Sequence, residues 1–342
     1  GGGQRQYDFF STRYSGGGQS QSVTGRQLIY DFGATNDQVS AATYRVLSAG
    51  HREGYVQSEL LLRALEAFYD TQRSVLQVRL ARENLQARRT FVSYIRQRAE
   101  LGASTSADVV RSEARVAESL DQLSIAMQRL SVNQTNYRQF YGEDAEPYIL
   151  PAEPNRAGLL SGSANDMIVE HPLALESLMT LEAAKLEKEA SRAKLYGGAY
   201  LELTAGEVSD PGRPPQRNDT AFIVYRAEIY SGGSQLAKIA QNMSRLEQAQ
   251  AELDRVRIEI VRTLREAESE HAGYVAAVSA RLLVFDATRD AYAISKELYS
   301  FSRGSLYDVF RAQEDLFNAG SKLIDGLIDR AKSGLRVLHT KN

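Results

Sequence analysis

The chain repeats itself at a constant offset of 200 residues. Tyr30 and Gly33 recur as Tyr230 and Gly233, Leu60 and Ala67 as Ile260 and Ala267, and Asp108-Val109 as Asp308-Val309. Val116, Leu123 and Met127 fall opposite Leu316, Leu323 and Leu327. No insertion or deletion separates the copies over about a hundred residues, although connecting loops usually drift in length. Some physical constraint therefore fixes the length of the unit.

Within each copy the pattern is helical. From Ala34 to Glu100 there is no proline, and Val39, Ala42, Val46 and Ala49 follow the three-four spacing of a coiled-coil seam. A helix over 34–100 would be about 100 Å long, far beyond the globular average. Leu101-Gly102-Ala103-Ser104-Thr105 interrupts it, and a helix over 106–141 follows, with Val116, Leu120, Leu123, Met127, Leu130 and Tyr137 as its expected seam. The glycine supplies a C-cap and Ser/Thr an N-cap, so the two helices should fold back as an antiparallel hairpin. The second copy gives helices over 234–300 and 306–338, broken at Ser302-Arg303-Gly304-Ser305, with Val309, Ala312, Leu316, Ala319 and Leu323 as the seam.

A different periodicity precedes each long helix. Ala221, Ile223, Tyr225, Ala227 and Ile229 alternate with Phe222, Val224, Arg226, Glu228 and Tyr230, which is strand spacing over 220–230. Residues 199–205 give a partner strand across the turn-rich Pro211-Gly212-Arg213-Pro214-Pro215. The first copy offers strands at 4–14 and 22–31 around Gly16-Gly17-Gly18. Strands of about ten residues suit a tilted bilayer crossing, although residues 4–14 are polar enough for an aqueous hairpin. No run of 18 apolar residues exists to make a transmembrane helix.

The resulting fold class is α+β: a two-fold internal repeat of β-hairpin plus very long α-helical hairpin. The first repeat covers 1–142 and the second 172–342, opening with a helix over 173–195 after Pro172. Pro147, Pro151, Pro154 and Gly162-Ser163 mark a connector over 143–171. Because the second hairpin is led by a helix and the first starts almost at residue 1, a further helix is expected before Gly1.

Composition excludes several classes. With 43% hydrophobic residues, 25% charged residues and a net charge of -2, the chain has neither a disordered composition nor a polyanion-binding charge. The arginines Arg79, Arg82, Arg88, Arg89, Arg96 and Arg98, with Glu83 and Glu100 among them, read as a solvated or intersubunit helix face rather than a nucleic-acid surface. There is no cysteine, and His51, His171, His271 and His339 share no metal-ligand spacing. Gly16-Gly17-Gly18 lacks the Lys-Ser/Thr of a phosphate loop. No nucleophile, base and orienting group stand together, so the sequence does not read as an enzyme and implies no cofactor.

Long helix, Gly/Ser turn, Asp-Val and long helix, with Tyr30-Asp31-Phe32-Gly33 and Ile229-Tyr230-Ser231-Gly232-Gly233 at the strand-to-helix passages, resembles the TolC-like outer-membrane channel family. The most specific stretch is Phe301-Ser302-Arg303-Gly304-Ser305-Leu306-Tyr307-Asp308-Val309, continuing through Arg311 to Leu316, which resembles the helical tip of the type I secretion branch. The resemblance implies a homotrimer in the outer membrane of a Gram-negative bacterium. Each subunit would give four strands to one twelve-stranded transmembrane β-barrel, continued by a periplasmic α-helical barrel. Implied partners are a periplasmic adaptor (membrane-fusion) protein, an inner-membrane ATP-driven or proton-driven transporter, outer-membrane lipid, and an exported protein or small molecule. Multidrug efflux is the alternative within the family, and a soluble coiled-coil scaffold the rival outside it.

For the gate, the candidates are Asp108, Tyr299, Asp308 and Arg311. Asp108 and Asp308 can serve the helix dipole or face a pore; Tyr299 matches a family position associated with holding the closed state, and can equally be packing. Arg311 stands where the family often carries a second carboxylate, and an aspartate three residues before an arginine, as Asp308 is, can pair with it on a helix. Gly197-Gly198 replaces the family's proline at the second strand pair. Gly102, Ser104, Thr105, Arg303, Gly304 and Ser305 are expected as caps and, on the resemblance, as adaptor contacts.

Overall fold

The computed structural model describes residues 5–15, 18–142, 170–209 and 212–341, with side chains from residue 21 onward. The connector prolines, Gly16-Gly17 and Pro211 lie outside these residues.

Two long helices, α1 (Ala34–Glu100) and α4 (Ser234–Ser300), each have 67 residues. Their partners, α2 (Ser106–Tyr141) and α5 (Leu306–Lys341), each have 36. Every helix start and end is thus displaced by the same 200 residues between copies. The α5 helix runs past 338 because Val337 is still buried and no breaker precedes Lys341. Between the copies α3 (Pro172–Ala193) starts on proline, with His171 Nδ1 accepting from Leu173 N at 3.2 Å. It ends two residues before the expected 195 because its last turn tightens into a 3₁₀ turn, Lys194–Tyr196.

Four antiparallel strands, β1 (Arg5–Ser15), β2 (Gly18–Tyr30), β3 (Gly198–Ser209) and β4 (Gln216–Arg226), form one sheet in chain order. Among the described residues β1 and β4 are each paired on one side only. The alternation misplaces the ends of the strands. The β3–β4 ladder continues through polar pairs such as Glu207↔Arg217 and Gly206↔Asn218, where apolar alternation has stopped. At its other end the ladder stops at Gly198↔Arg226, so Ala227 to Tyr230 have no partner and are not strand. Gly197 enforces that stop: its φ is 74°, and a Cβ there would lie 2.1 Å from Arg226 O.

Register sorts the side chains of the sheet. Leu201↔Ile223 and Leu203↔Ala221 share a face with Val23 and Tyr225, and Ile223 is 75% exposed. On the opposite face Thr24 and Thr204 hydroxyls lie 3.3 Å apart. Beside them Arg26 and Arg226 each donate to Glu202 Oε1 at 2.6 Å, with Phe222 opposite Glu202.

The chain forms two compact units, Gly1–Tyr55 with Val169–Glu259, and Val56–Ile168 with Ile260–Asn342, so each unit takes a piece from both copies. In the first, α3 is held to α1 by Ser48–Thr180 (3.0 Å), Arg52–Glu176 (3.4 Å) and an Arg45–Glu187 ion pair, and to α4 by Asn242, which donates to Ser191 Oγ. In the second, apolar clusters form around Tyr69–Ile328–Ala331, Val78–Ala81–Ala126 and Phe91–Ile95–Tyr299–Val309–Phe310.

The buried stripe of α2 differs from the expected seam. Ser112, Ser119 and Ala126, spaced seven apart, are buried, whereas Leu120 and Met127 are about half exposed. Ser112 and Ser119 hydroxyls donate to the carbonyls four residues back, so these small side chains admit close helix approach without unpaired polar atoms. Val39 and Val46 of α1 are likewise exposed. These four large apolar residues face outward within one chain.

Candidate functional site: the paired helical tips

Both long helices end in the same hydrogen-bonded turn. In the first copy Ala103 N donates to Arg98 O (2.8 Å) and Gly102 N to Ala99 O (3.0 Å), with Gly102 at φ 74°. In the second Arg303 N donates to Leu298 O (2.9 Å) and Ser302 N to Tyr299 O (3.0 Å), with Ser302 at φ 57°. This left-handed closure satisfies carbonyls that have no partner at a helix end.

The next helix starts in each copy with a reciprocal cap. Thr105 Oγ1 accepts from Asp108 N at 3.1 Å while Asp108 Oδ2 accepts from Thr105 N (3.1 Å) and Oγ1 (2.8 Å). Ser305 and Asp308 repeat the arrangement at 3.2, 3.3 and 2.6 Å. These carboxylates are capping groups in this chain. The Thr105 hydroxyl and then its backbone N–H hold the Asp108 pKa below the ordinary aspartate value. Arg111 approaches Asp108 to 3.8 Å, but among the described residues Asp308 forms no ion pair with Arg311. Asp308 is turned back onto Ser305, and Arg311 is exposed.

The two tips touch. Tyr299 is 8% exposed, packed against Phe91, Ile95, Val309 and Phe310, with its ring edge-on to Phe91 at 5.8 Å. Its hydroxyl lies 3.3 Å from Ser104 Oγ. Gly304, opposite Ser104 in the repeat, packs so closely on Leu298 and Tyr299 that a Cβ would sit 3.2 Å from their atoms. Of the candidates, Tyr299, Ser104 and Gly304 therefore meet at the junction; Asp108, Thr105, Asp308 and Ser305 form caps, Gly102 makes a turn, and Arg303 and Arg311 are exposed.

Two of the arginines that the sequence assigns to a solvated or intersubunit face complete the site. Arg98 Nη1 donates to Tyr94 OH (3.1 Å) and Tyr299 O (3.2 Å), and Nη2 to Ser302 Oγ (3.0 Å). Farther along α1, Arg88 is buried: it donates to Arg115 O at 2.8 Å and to Glu314 Oε2 at 2.5 Å, with Glu118 at 3.5 Å. Asn84, Gln122 and Gln313 extend this polar layer through bonds of 3.3 and 3.1 Å. The solvated-face reading thus holds for Arg79 and Arg96 but not for Arg88 and Arg98, whose partners are distant in sequence.

No protein-family model matches the chain. Its sequence is 25% identical over 300 residues to the outer membrane efflux protein BepC of Brucella suis biovar 1 (strain 1330), covering 85% of this chain and 64% of that protein. The chain thus spans less than two thirds of the curated relative it matches. A membrane protein from Pseudomonas aeruginosa superposes with a TM-score of 0.85 at 17% identity, covering 100% of this chain and 84% of that one. The outer membrane protein VceC from Vibrio cholerae gives 0.81 at 16% identity, with 99% and 85% covered. All three are named as membrane proteins, the Brucella relative as an efflux protein of the outer membrane. Repeat architecture, four-stranded sheet and paired tips are thus the fold of these solved membrane proteins, and in sequence the chain is similar to an outer membrane efflux protein.

Proposed function

We propose that the chain is the subunit of a homotrimeric exit duct in the Gram-negative outer membrane, serving a tripartite export system as a passive conduit gated at its periplasmic tip. The observation that carries this reading is the sheet: among the described residues β1 and β4 are each paired on one side, and one face is apolar and exposed. Open edges cannot persist in lipid, and four strands are too few to close, so other copies must supply the missing edges. Three copies would give twelve strands, an even number suited to a closed antiparallel barrel.

The gate falls at the tips, where Tyr299 joins the two hairpins and Asp108, Asp308, Arg111 and Arg311 would give a mouth of mixed charge. The turns around Gly102, Ser104, Thr105, Arg303, Gly304 and Ser305 are the proposed adaptor contacts. Substrate choice would lie with the inner-membrane transporter. Type I protein secretion is the reading favoured by the tip sequence; the name of the Brucella relative, an efflux protein, favours the efflux alternative. Loss of a secreted protein, against increased drug sensitivity, in a strain lacking the gene separates the two.

The duct itself is tested by detergent extraction from outer membranes followed by native mass measurement and planar-bilayer recording. A trimer with discrete conductance steps is expected. A monomer recovered from the aqueous fraction without detergent overturns the reading.

A further inference from the structure

The two tip turns share a backbone but not a sequence. Their left-handed position is Gly102 in the first copy and Ser302 in the second, at φ 74° and 57°. Glycine adopts that conformation freely; serine, with a Cβ, does not, and needs support from its surroundings. The support comes from the other hairpin. Arg98 Nη2 donates to Ser302 Oγ at 3.0 Å, while Nη1 reaches Tyr299 O at 3.2 Å and Ser300 O at 3.4 Å, carbonyls of the last turn of α4. The guanidinium also lies over the Tyr299 and Tyr94 rings, 5.0 and 5.8 Å from their centroids. No reciprocal contact is available, because the residue equivalent to Arg98 is Leu298.

We infer that Arg98 is a positioning residue for the gate: it completes the second tip turn from the first hairpin, so that this turn holds its shape only while the two hairpins stay together. This rests on the duct reading above. Separation of the hairpins removes three donated bonds at once. Ser300 O loses its donor, Tyr299 O keeps only Ser302 N, and Ser302 loses the partner that holds it left-handed, so hairpin separation and turn relaxation become one event. A guanidinium suits this role because its planar fork meets several acceptors while stacking on a ring; an ammonium reaches fewer.

The test is a set of trimers in planar bilayers: wild type, Arg98→Ala, Arg98→Lys, Ser302→Gly, and Arg98→Ala with Ser302→Gly. Arg98→Ala is expected to raise open probability about ten-fold, the scale of one lost charge-assisted bond. Arg98→Lys should fall between, and Ser302→Gly should shrink the effect of Arg98→Ala, because glycine needs no support. Unchanged open probability in Arg98→Ala, or equal effects in the serine and glycine backgrounds, overturns the inference while leaving the duct intact. If wild type forms no channel, the duct reading fails instead. Thermal melting of the same set then reads the coupling between positions 98 and 302 directly, with strict additivity again overturning it. Should Arg98→Ala not assemble, Arg98→Lys carries the comparison in both backgrounds.

Discussion

Ser104 of the first tip and Tyr299 of the second share a hydrogen bond, Oγ to phenolic oxygen at 3.3 Å, across 195 residues of sequence. Tyr299→Phe deletes that bond but keeps the ring against Phe91, Val309 and Phe310. It should raise channel open probability by the few-fold expected for one neutral hydrogen bond of about 1 kcal/mol. Ser104→Ala should do the same, and the double variant no more than either. Single-channel recording of the three checks this, and wild-type behaviour in all of them removes the pair from the gate.

Below the tips, Arg88 has a side chain 2% exposed, facing Glu314 at 36% and Glu118 at 48%. Removing a carboxylate leaves a buried cation short of a partner, so Glu314→Ala should destabilise the helical region by about 2 kcal/mol, discounted for the solvent that reaches the glutamate. Arg88→Met, which removes the charge and keeps the stem, should cost less. Urea denaturation followed by circular dichroism ranks the two, and the reverse order would show that Arg88 is not held by its acidic partners.

At the start of the second strand pair, Gly197→Ala combines a positive φ with a clash against the Arg226 and Ala227 backbone. The expected cost is at least about 3 kcal/mol, enough to abolish assembly of a multi-strand barrel. Gly102→Ala, with a similar φ and nothing within 4 Å, should cost only about 1 kcal/mol. Yield of detergent-stable trimer compares the two variants.

Acid should loosen the end of α5. Burial lowers the His339 pKa from 6.5, against the opposing pull of Glu59 and Glu66, and its Nδ1 meets Ser58 Oγ at 2.9 Å. Arg336 and Lys341 lie on the same helix, paired with Glu66, Glu270 and Glu268. A folded-state value below the unfolded one means the unfolded chain binds the proton first. The contribution is therefore complete above the ordinary histidine value and lost as pH falls from there through the folded value. Melting temperature should drop over that window in wild type and less in His339→Gln; parallel profiles would exclude the histidine.

Equal hairpin lengths make a sharper test of architecture. Seven residues inserted into α1 and α2 at facing sites keep the coiled-coil phase but lengthen one hairpin only. That variant should lose the Arg98 and Tyr299 contacts and gate poorly. The same insertion in all four long helices should restore gating, as read by conductance.

Much of the scaffold could be read from the chain alone, because proline-free runs and Gly/Ser breaks state where a helix must continue and where it must stop. Strand ends were less visible: alternation records where one face is apolar, whereas the ladder continues through Glu207 and Arg217. The buried seam of α2 was hidden because Ser112 and Ser119 are not apolar, though their spacing is that of a heptad. At the tip, Asp108 and Tyr299 stood out by motif. Arg98 did not, since its acceptors are carbonyls and a serine some two hundred positions away, and no local pattern encodes them.

The tip contacts join unlike members of the two copies: Arg98 to Ser302, where the counterparts are Leu298 and Gly102, and Ser104 to Tyr299, where they are Gly304 and Ala99. Two identical hairpins could not make either contact. The two halves of the repeat are therefore not interchangeable at the tip. A gene carrying either half twice would build both hairpins and both turns, yet would lack a lock for every key.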